Sequence, residues 1–369
     1  MNVRIAVKTT VILLVIAMCC EPLLACTYFF QKAKDGSVVV GRSMEFGNEV
    51  ASRLDLVPRG TSFESTAPDG AITTAWQSKY GFVAMSHHGK HLYSDGINEK
   101  GLNVSTLWFV DGSYPKPKAG EPALRNYDLC GWALSKFSTA DEVAEALRSI
   151  VVWGAFNESM NMVLPFHWAV TDATGKSIVI EYVKGALTIT DNSRIGVMCN
   201  SPSIDFHLTN LRCYSNLNPA TQQAPEVLKE AGWALGSGLR GLPGDFTSPS
   251  RYVRVAVQKH YAPQPDNAES AVSQAIHLLN TVDQVPGVVV FGGDRGAGDG
   301  EGPPTQFTPW ITVADLANKH FYYRAYDSQD IRRVDLTKMN FDSGQPYRSV
   351  DIYGRKKYVD DTARLLGGK

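Results

Sequence analysis

The chain is 369 residues long, 44% hydrophobic and 20% charged, with 36 lysines and arginines against 37 aspartates and glutamates. Those fractions are ordinary for a globular protein, and the length is ample for a large core. A charge balance this even excludes an electrostatic footprint for nucleic acid or an anionic membrane, leaving uncharged small molecules or modestly charged amphiphiles as natural partners.

Residues 1–25 read as a secretory leader. Arg4 and Lys8 supply its positive end, Val11–Cys20 is an unbroken apolar run, Glu21 and Pro22 break it, and Ala25 is the small residue at a cut. The run is too short to span a bilayer as a helix. The reading predicts an exported chain, with the periplasm as its expected location, and residues 26–369 as a single domain. Cleavage after Ala25 would make Cys26 the first residue, carrying a thiol and a free α-amine on neighbouring atoms. An amine with a pKa of about 8 can take the proton of a thiol of about 8.5, and using the chain's own terminal amine as base is an established way to activate a nucleophile. The same junction, Leu23-Leu24-Ala25-Cys26, also reads as a lipoprotein box, with Cys26 acylated on sulfur and the chain an anchored binding protein. The two readings exclude each other, and the junction alone leaves both open.

Cys19 and Cys20 leave with the leader, so Cys26, Cys130, Cys199 and Cys213 remain. Cys199 and Cys213 are close enough in sequence for a disulfide, with buried free thiols as the alternative. No Cys/His spacing suggests zinc, and no metal or cofactor is expected. His87, His88 and His91 cluster without a carboxylate at ligand spacing, and His167 and His207 read as structural. The Gly-rich stretch 292–302 lacks the phosphate-loop signature, and Asp294 and Asp299 there read better as surface-loop residues than as a calcium site.

From Cys26 the chain predicts a hairpin: a strand over Thr27–Gln31, a turn at Lys34-Asp35-Gly36 and a Val-rich strand over Ser37–Arg42. A hairpin there would hold the terminal amine on a sheet. Strands are predicted at Gly81–Met85 and Leu102–Phe109, then helices at Ala123–Phe137 and Glu142–Val151, with a capping box at Thr139–Glu142. Strands return at His167–Asp172, Ser177–Val183, Leu187–Thr190 and Ile195–Asn200. Helices follow at Ile204–Cys213, Pro249–Tyr261 and Ala268–Val282, and strands at Gln306–Val313, Phe321–Ala325 and Ile331–Leu336. Blocks of antiparallel strands alternating with blocks of helices predict a layered α+β fold.

Cys26-Thr27 and Gly41-Arg42-Ser43-Met44-Glu45 resemble the opening of the choloylglycine hydrolase and penicillin V acylase family. Asp95–Leu102, Asn200–Asp205 and Leu242–Tyr252 resemble its later blocks, in family order. The resemblance implies a four-layer αββα N-terminal nucleophile hydrolase fold, frequent homotetramers, no cofactor, and hydrolysis of linear amides through a Cys26 acyl-enzyme. It assigns Arg42 to the thiolate, Glu45 (where the family usually has aspartate) to the terminal amine, Asn200 to the oxyanion and Arg251 to a second active-site cation. Trp108, at a position where relatives carry asparagine or tyrosine, is expected to wall the acyl pocket and to offer its backbone N–H to the oxyanion. Penicillin V-like phenoxyacyl amides, conjugated bile salts and N-acyl homoserine lactones are the implied substrates. A relative that has lost catalysis is the remaining alternative.

Overall fold

The structure, a computed structural model, describes residues 25–47, 51–87, 91–221, 226–227, 238–290, 305–354 and 362–365. Residues 1–24, His88 and the stretch 292–302 with Asp294 and Asp299 lie outside the described residues.

Two antiparallel sheets stack face to face. In the first, β1 (Cys26–Lys32) lies between the strand Val197–Cys199 and β2 (Val38–Phe46), followed by Thr305–Asp315, His320–Ala325 and Ser328–Asp335. In the second, eight strands run from Ala186–Asp191 through Ser177–Val183, Phe166–Thr171, Asn103–Trp108, Leu92–Asn98, Phe82–His87 and Ser52–Val57 to Arg348–Asp351. Tyr28, Val40, Met85, Ile97, Leu107, Ala169 and Val179 belong to one buried apolar core that draws on both sheets. Helices α1 (Leu129–Lys136) and α2 (Ala140–Ala146) cover the outer face of the eight-stranded sheet, packing Leu129, Leu134 and Val143 on Phe82, Val104, Trp168 and Ile180. Helices α4 (Ser248–Tyr261) and α5 (Ala268–Asn280) cover the other sheet, and the short α3 (Ile204–Leu211) packs beside α4. The order helix, sheet, sheet, helix is the expected αββα fold.

Two helical expectations need correction. Ala123–Arg125 is a strand, paired in parallel with Val151–Trp153, and the helix begins only at Leu129. The apolar spacing of this stretch suits either state. The backbone is extended through Arg125, and Asn126–Asp128 form a 3-10 turn that leads into the helix. The capping box at Thr139–Glu142 is present, but its helix stops at Ala146, and Val151 belongs to that parallel pair. The sequence also under-reads Ser52–Val57, Leu92–Asn98 and the hairpin Ser62–Thr66/Ile72–Gln77. Cys199 is buried and Cys213 exposed, and both are free thiols.

The block Asp95–Leu102 ties the layers together. Asn98 donates to Leu134 O and Phe137 O at the end of α1, at 2.8 and 2.7 Å. Asp95, buried between the sheets, accepts from Ser105 Oγ on its own sheet and from Thr312 Oγ1 on the other.

Candidate active site

The β1–β2 hairpin sets the register of the site. Cys26 pairs with Met44 and Tyr28 with Arg42, so these four side chains share the face that meets the second sheet. Arg42 Nη2 lies 3.8 Å from Cys26 Sγ and 3.3 Å from Met44 Sδ, and it donates to Thr106 O at 2.9 Å. Its guanidinium stacks 4.4 Å from the centroid of the Trp310 ring, a geometry that stabilises a buried cation without a directly bonded carboxylate.

The strand Val197–Cys199 lies on the other side of β1, with Thr27 opposite Cys199, so Asn200 emerges beside Cys26. Asn200 Nδ2 donates to Trp108 O at 2.8 Å. Its Oδ1 accepts from Arg251 Nη2 at 2.8 Å and from the Cys26 backbone N–H. Arg251, in the first turn of α4, also donates to Cys26 O and Thr27 Oγ1, both at 2.6 Å, and to Phe246 O at 3.0 Å. A cation at a helix N-terminus is disfavoured by the dipole; here four oxygen acceptors and the nearby Glu45 carboxylate compensate. All six expected positions, Cys26, Arg42, Glu45, Trp108, Asn200 and Arg251, therefore meet in one place.

Electrostatics differ from the expectation in one respect. Burial raises the Cys26 thiol pKa; Arg42 and then Arg251 oppose that, Glu45 adds to it, and burial prevails. With Ala25 still joined to its nitrogen, Cys26 is a neutral thiol at pH 7, and a base is needed to ionise it. Burial likewise lifts Glu45 to about 7, against the pull of Arg251, Ser43 and Arg42. Its Oε1 accepts from Thr308 Oγ1 at 3.3 Å, while its Oε2 has no hydrogen-bond partner among the described residues.

Two recesses lie near Cys26 and share Trp108 as a wall. On the sulfur side, a narrow cavity is floored by Cys26, Arg42 and Glu45 and walled by Phe46, Leu92, Trp108, Leu164 and Phe166. The Trp108 indole stands edge-on to Phe166, with ring centroids 5.7 Å apart. On the nitrogen side, a cleft of about 520 Å³ is lined by Ala25, Trp108, Asn200, Ser248 and Arg251, among others. Trp108 walls both recesses. Its carbonyl accepts from Asn200 Nδ2.

Some site residues were not legible in advance. His207, read as structural, donates from Nε2 to Asn200 O at 2.8 Å, and Ser248 Oγ donates to the same oxygen at 2.8 Å. Burial pushes His207 down to about 4, so its ring is neutral and Nε2 carries the proton. Thr106 and Trp310, the partners of Arg42, come from strands distant in sequence, and no local pattern marks them. His87 bonds Ser52 Oγ and Ser94 Oγ at 3.1 and 2.6 Å, and His91 bonds Tyr93 Oη at 2.8 Å, so these two do not converge as metal ligands.

Comparison with known proteins agrees with this geometry. The family described as linear amide C–N hydrolases, choloylglycine hydrolase family, matches residues 26–348. The chain is 32% identical over 330 residues to a bile salt hydrolase/transferase of Clostridium perfringens, covering 87% of this chain and 95% of that one. It is 27% identical over 334 residues to a penicillin V acylase of Pectobacterium atrosepticum, covering 86% and 82%. A crystal structure of a mutant conjugated bile acid hydrolase from Clostridium perfringens superposes with a TM-score of 0.77 at 28% identity, covering 91% of this chain and 99% of that one. The chain belongs to the choloylglycine hydrolase family of linear amide C–N hydrolases.

Proposed function

We propose that this linear amide hydrolase is exported, loses residues 1–25, and cleaves N-acyl amides through a thioester on Cys26. The observation that carries the reading is the position of Cys26. Its sulfur faces an apolar cavity, Ala25 on its nitrogen lines a second cleft, and Asn200 and Arg42 flank it.

In this mechanism the freed α-amine takes the thiol proton, and the thiolate attacks the amide carbonyl. The Asn200 Nδ2 group donates to the oxyanion as the tetrahedral intermediate forms, a contact worth roughly 3–4 kcal/mol of barrier at comparable sites. The α-ammonium returns its proton to the leaving nitrogen, the C–N bond breaks, and the amine departs. Water, deprotonated by the same amine, attacks the thioester and releases the acid. Arg42 favours the thiolate, Glu45 orients the amine, and Arg251 holds Asn200 in place. The amine is the base that the buried neutral thiol requires.

Burial of Cys26, 3% exposed between the sheets, supports this reading over a lipid anchor, since the site gives a diacylglycerol no room. The family match beginning at Cys26 supports a processed N-terminus. Penicillin V, conjugated bile salts and N-acyl homoserine lactones are the substrates proposed, with assembly as a homotetramer and a periplasmic location. The test is a panel of these amides offered to the secreted enzyme. Release of the free amine is expected from at least one of them, and none from Cys26→Ala at equal thermal stability. An equally active Cys26→Ala would overturn the mechanism.

A further inference from the structure

Met44 stands directly opposite Cys26 across the β1–β2 hairpin, and its thioether sulfur lies 3.7 Å from Cys26 Sγ. The same Sδ is 3.3 Å from Arg42 Nη2, closer than the 3.8 Å between Nη2 and Cys26 Sγ. Resting on the reading of Cys26 as the nucleophile, we propose that Met44 is a positioning residue that holds the Cys26 thiol in its protonated, resting form until the α-amine takes the proton.

The hydrogens of Arg42 lead to this assignment. Nη2 carries two of them. One is committed to Thr106 O at 2.9 Å. The other is left to two sulfurs, and the shorter contact gives it to Met44. Nε and Nη1 have no hydrogen-bond partner among the described residues, so neither stands in for it at the thiol. On its other side, Met44 Sδ accepts the S–H of Cys26, a bond that exists only while the thiol keeps its proton. A hydrogen bond to the neutral form disfavours the charged one, and so does a donor drawn away from the thiolate. Both effects act with burial and against the Arg42 charge. Once the proton leaves, the S–H bond to Sδ is gone, and the thiolate accepts far better than a thioether and competes for the Nη2 hydrogen. The other titratable groups around the sulfur are Glu45 on β2, Arg251 on α4, Cys199 on the strand beside β1, and His87 and Tyr93 of the second sheet, which line the same cavity. A change at Met44 leaves all of them in place.

The experiment follows alkylation of Cys26 by iodoacetamide against pH in the processed enzyme, read from the mass of the N-terminal peptide. Met44→Leu keeps an apolar side chain of similar volume and loses the sulfur. Its alkylation midpoint is expected to fall by about 0.5–1 on the pH scale, so that below the midpoint Cys26 reacts roughly three- to tenfold faster, the size of one net hydrogen bond. The acid limb of kcat/KM should move the same way. Norleucine in place of methionine throughout the chain keeps the unbranched shape and should reproduce the shift if Met44→Leu folds poorly. In an Arg42→Met background the loss of the Met44 sulfur should move the midpoint less, because no donor is left to release. A purely packing role would lower the thermal midpoint and leave the alkylation midpoint in place. An alkylation midpoint that stays or rises without the sulfur would overturn the proposal, as would a shift undiminished in the Arg42→Met background. If Cys26→Ala keeps full activity, the acyl-enzyme reading itself fails and takes this proposal with it.

Discussion

Arg251 Nη2 donates to Asn200 Oδ1 at 2.8 Å, and that bond fixes which way the asparagine amide faces. A guanidinium can only donate, so the atom it meets is the oxygen, and Nδ2 turns toward Trp108 O. One Nδ2 hydrogen is held there, and the second remains for charge developing on a substrate oxygen.

Asn200→Asp keeps the size and strengthens the tie to Arg251, but it removes the donor. It is expected to lower kcat by roughly 10²–10³-fold with KM little changed, as the loss of a single oxyanion donor does. Steady-state kinetics beside a denaturation curve checks this. A proportional rise in KM with kcat intact would assign Asn200 to ground-state binding.

Arg42 holds its place by one hydrogen bond, Nη2 to Thr106 O, and by its flat face on the Trp310 ring. Lysine has no such face to stack there. Arg42→Lys is expected to cut kcat/KM by about tenfold or more. Arg42→Met, which removes the charge, should move the pH midpoint of Cys26 alkylation upward, since a cation near the sulfur favours thiolate. An unshifted alkylation profile would remove Arg42 from the thiol's electrostatics.

Glu45 gives the uncut chain a pH signature. Its folded pKa is about 7 against a reference of 4.5, so between those values the folded state holds a proton that the unfolded state has released. Stability then falls as pH rises through that window. In the uncleaved chain, Glu45→Gln should abolish that slope, read as the difference in urea midpoint between parent and variant from pH 4.5 to 7.5. In the processed chain a neighbouring α-ammonium should lower the carboxyl pKa and shrink the effect.

His207 works in the opposite sense. Its folded pKa of about 4 lies below the reference 6.5, so the unfolded state binds the extra proton first. Stability attributable to it is present above 6.5 and is lost as pH falls toward 4. His207→Gln should flatten that acid limb. His207→Ala should lower kcat as well, because it removes one of the two donors that hold the Asn200 carbonyl.

Much of the fold was legible because its signals are local. The Val-rich β2, the Thr139 capping box and the apolar spacing of α4 and α5 each declare themselves within about a dozen residues. Ala123–Arg125 was not legible, because its partner Val151–Trp153 lies beyond the reach of any periodicity window. The same division runs through the site. Cys26, Arg42 and Glu45 sit on one hairpin, and Asn200 and Arg251 sit in recognisable blocks. Thr106 gains its role only when the sheets stack, Trp310 when Thr305–Asp315 pairs with β2, and His207 when α3 packs beside α4. The net rise of the thiol pKa also escaped the sequence, since an arginine two β2 positions from Met44 announces attraction but says nothing of burial.

The most direct measurement is the intact mass of the secreted chain before and after incubation with a β-lactone or other acyl electrophile. The account predicts a polypeptide that begins at Cys26 and gains one adduct on that residue, with Cys26→Ala unlabelled. Fully active protein that still carries residues 1–25, or a Cys26 that bears a diacylglycerol, would contradict it.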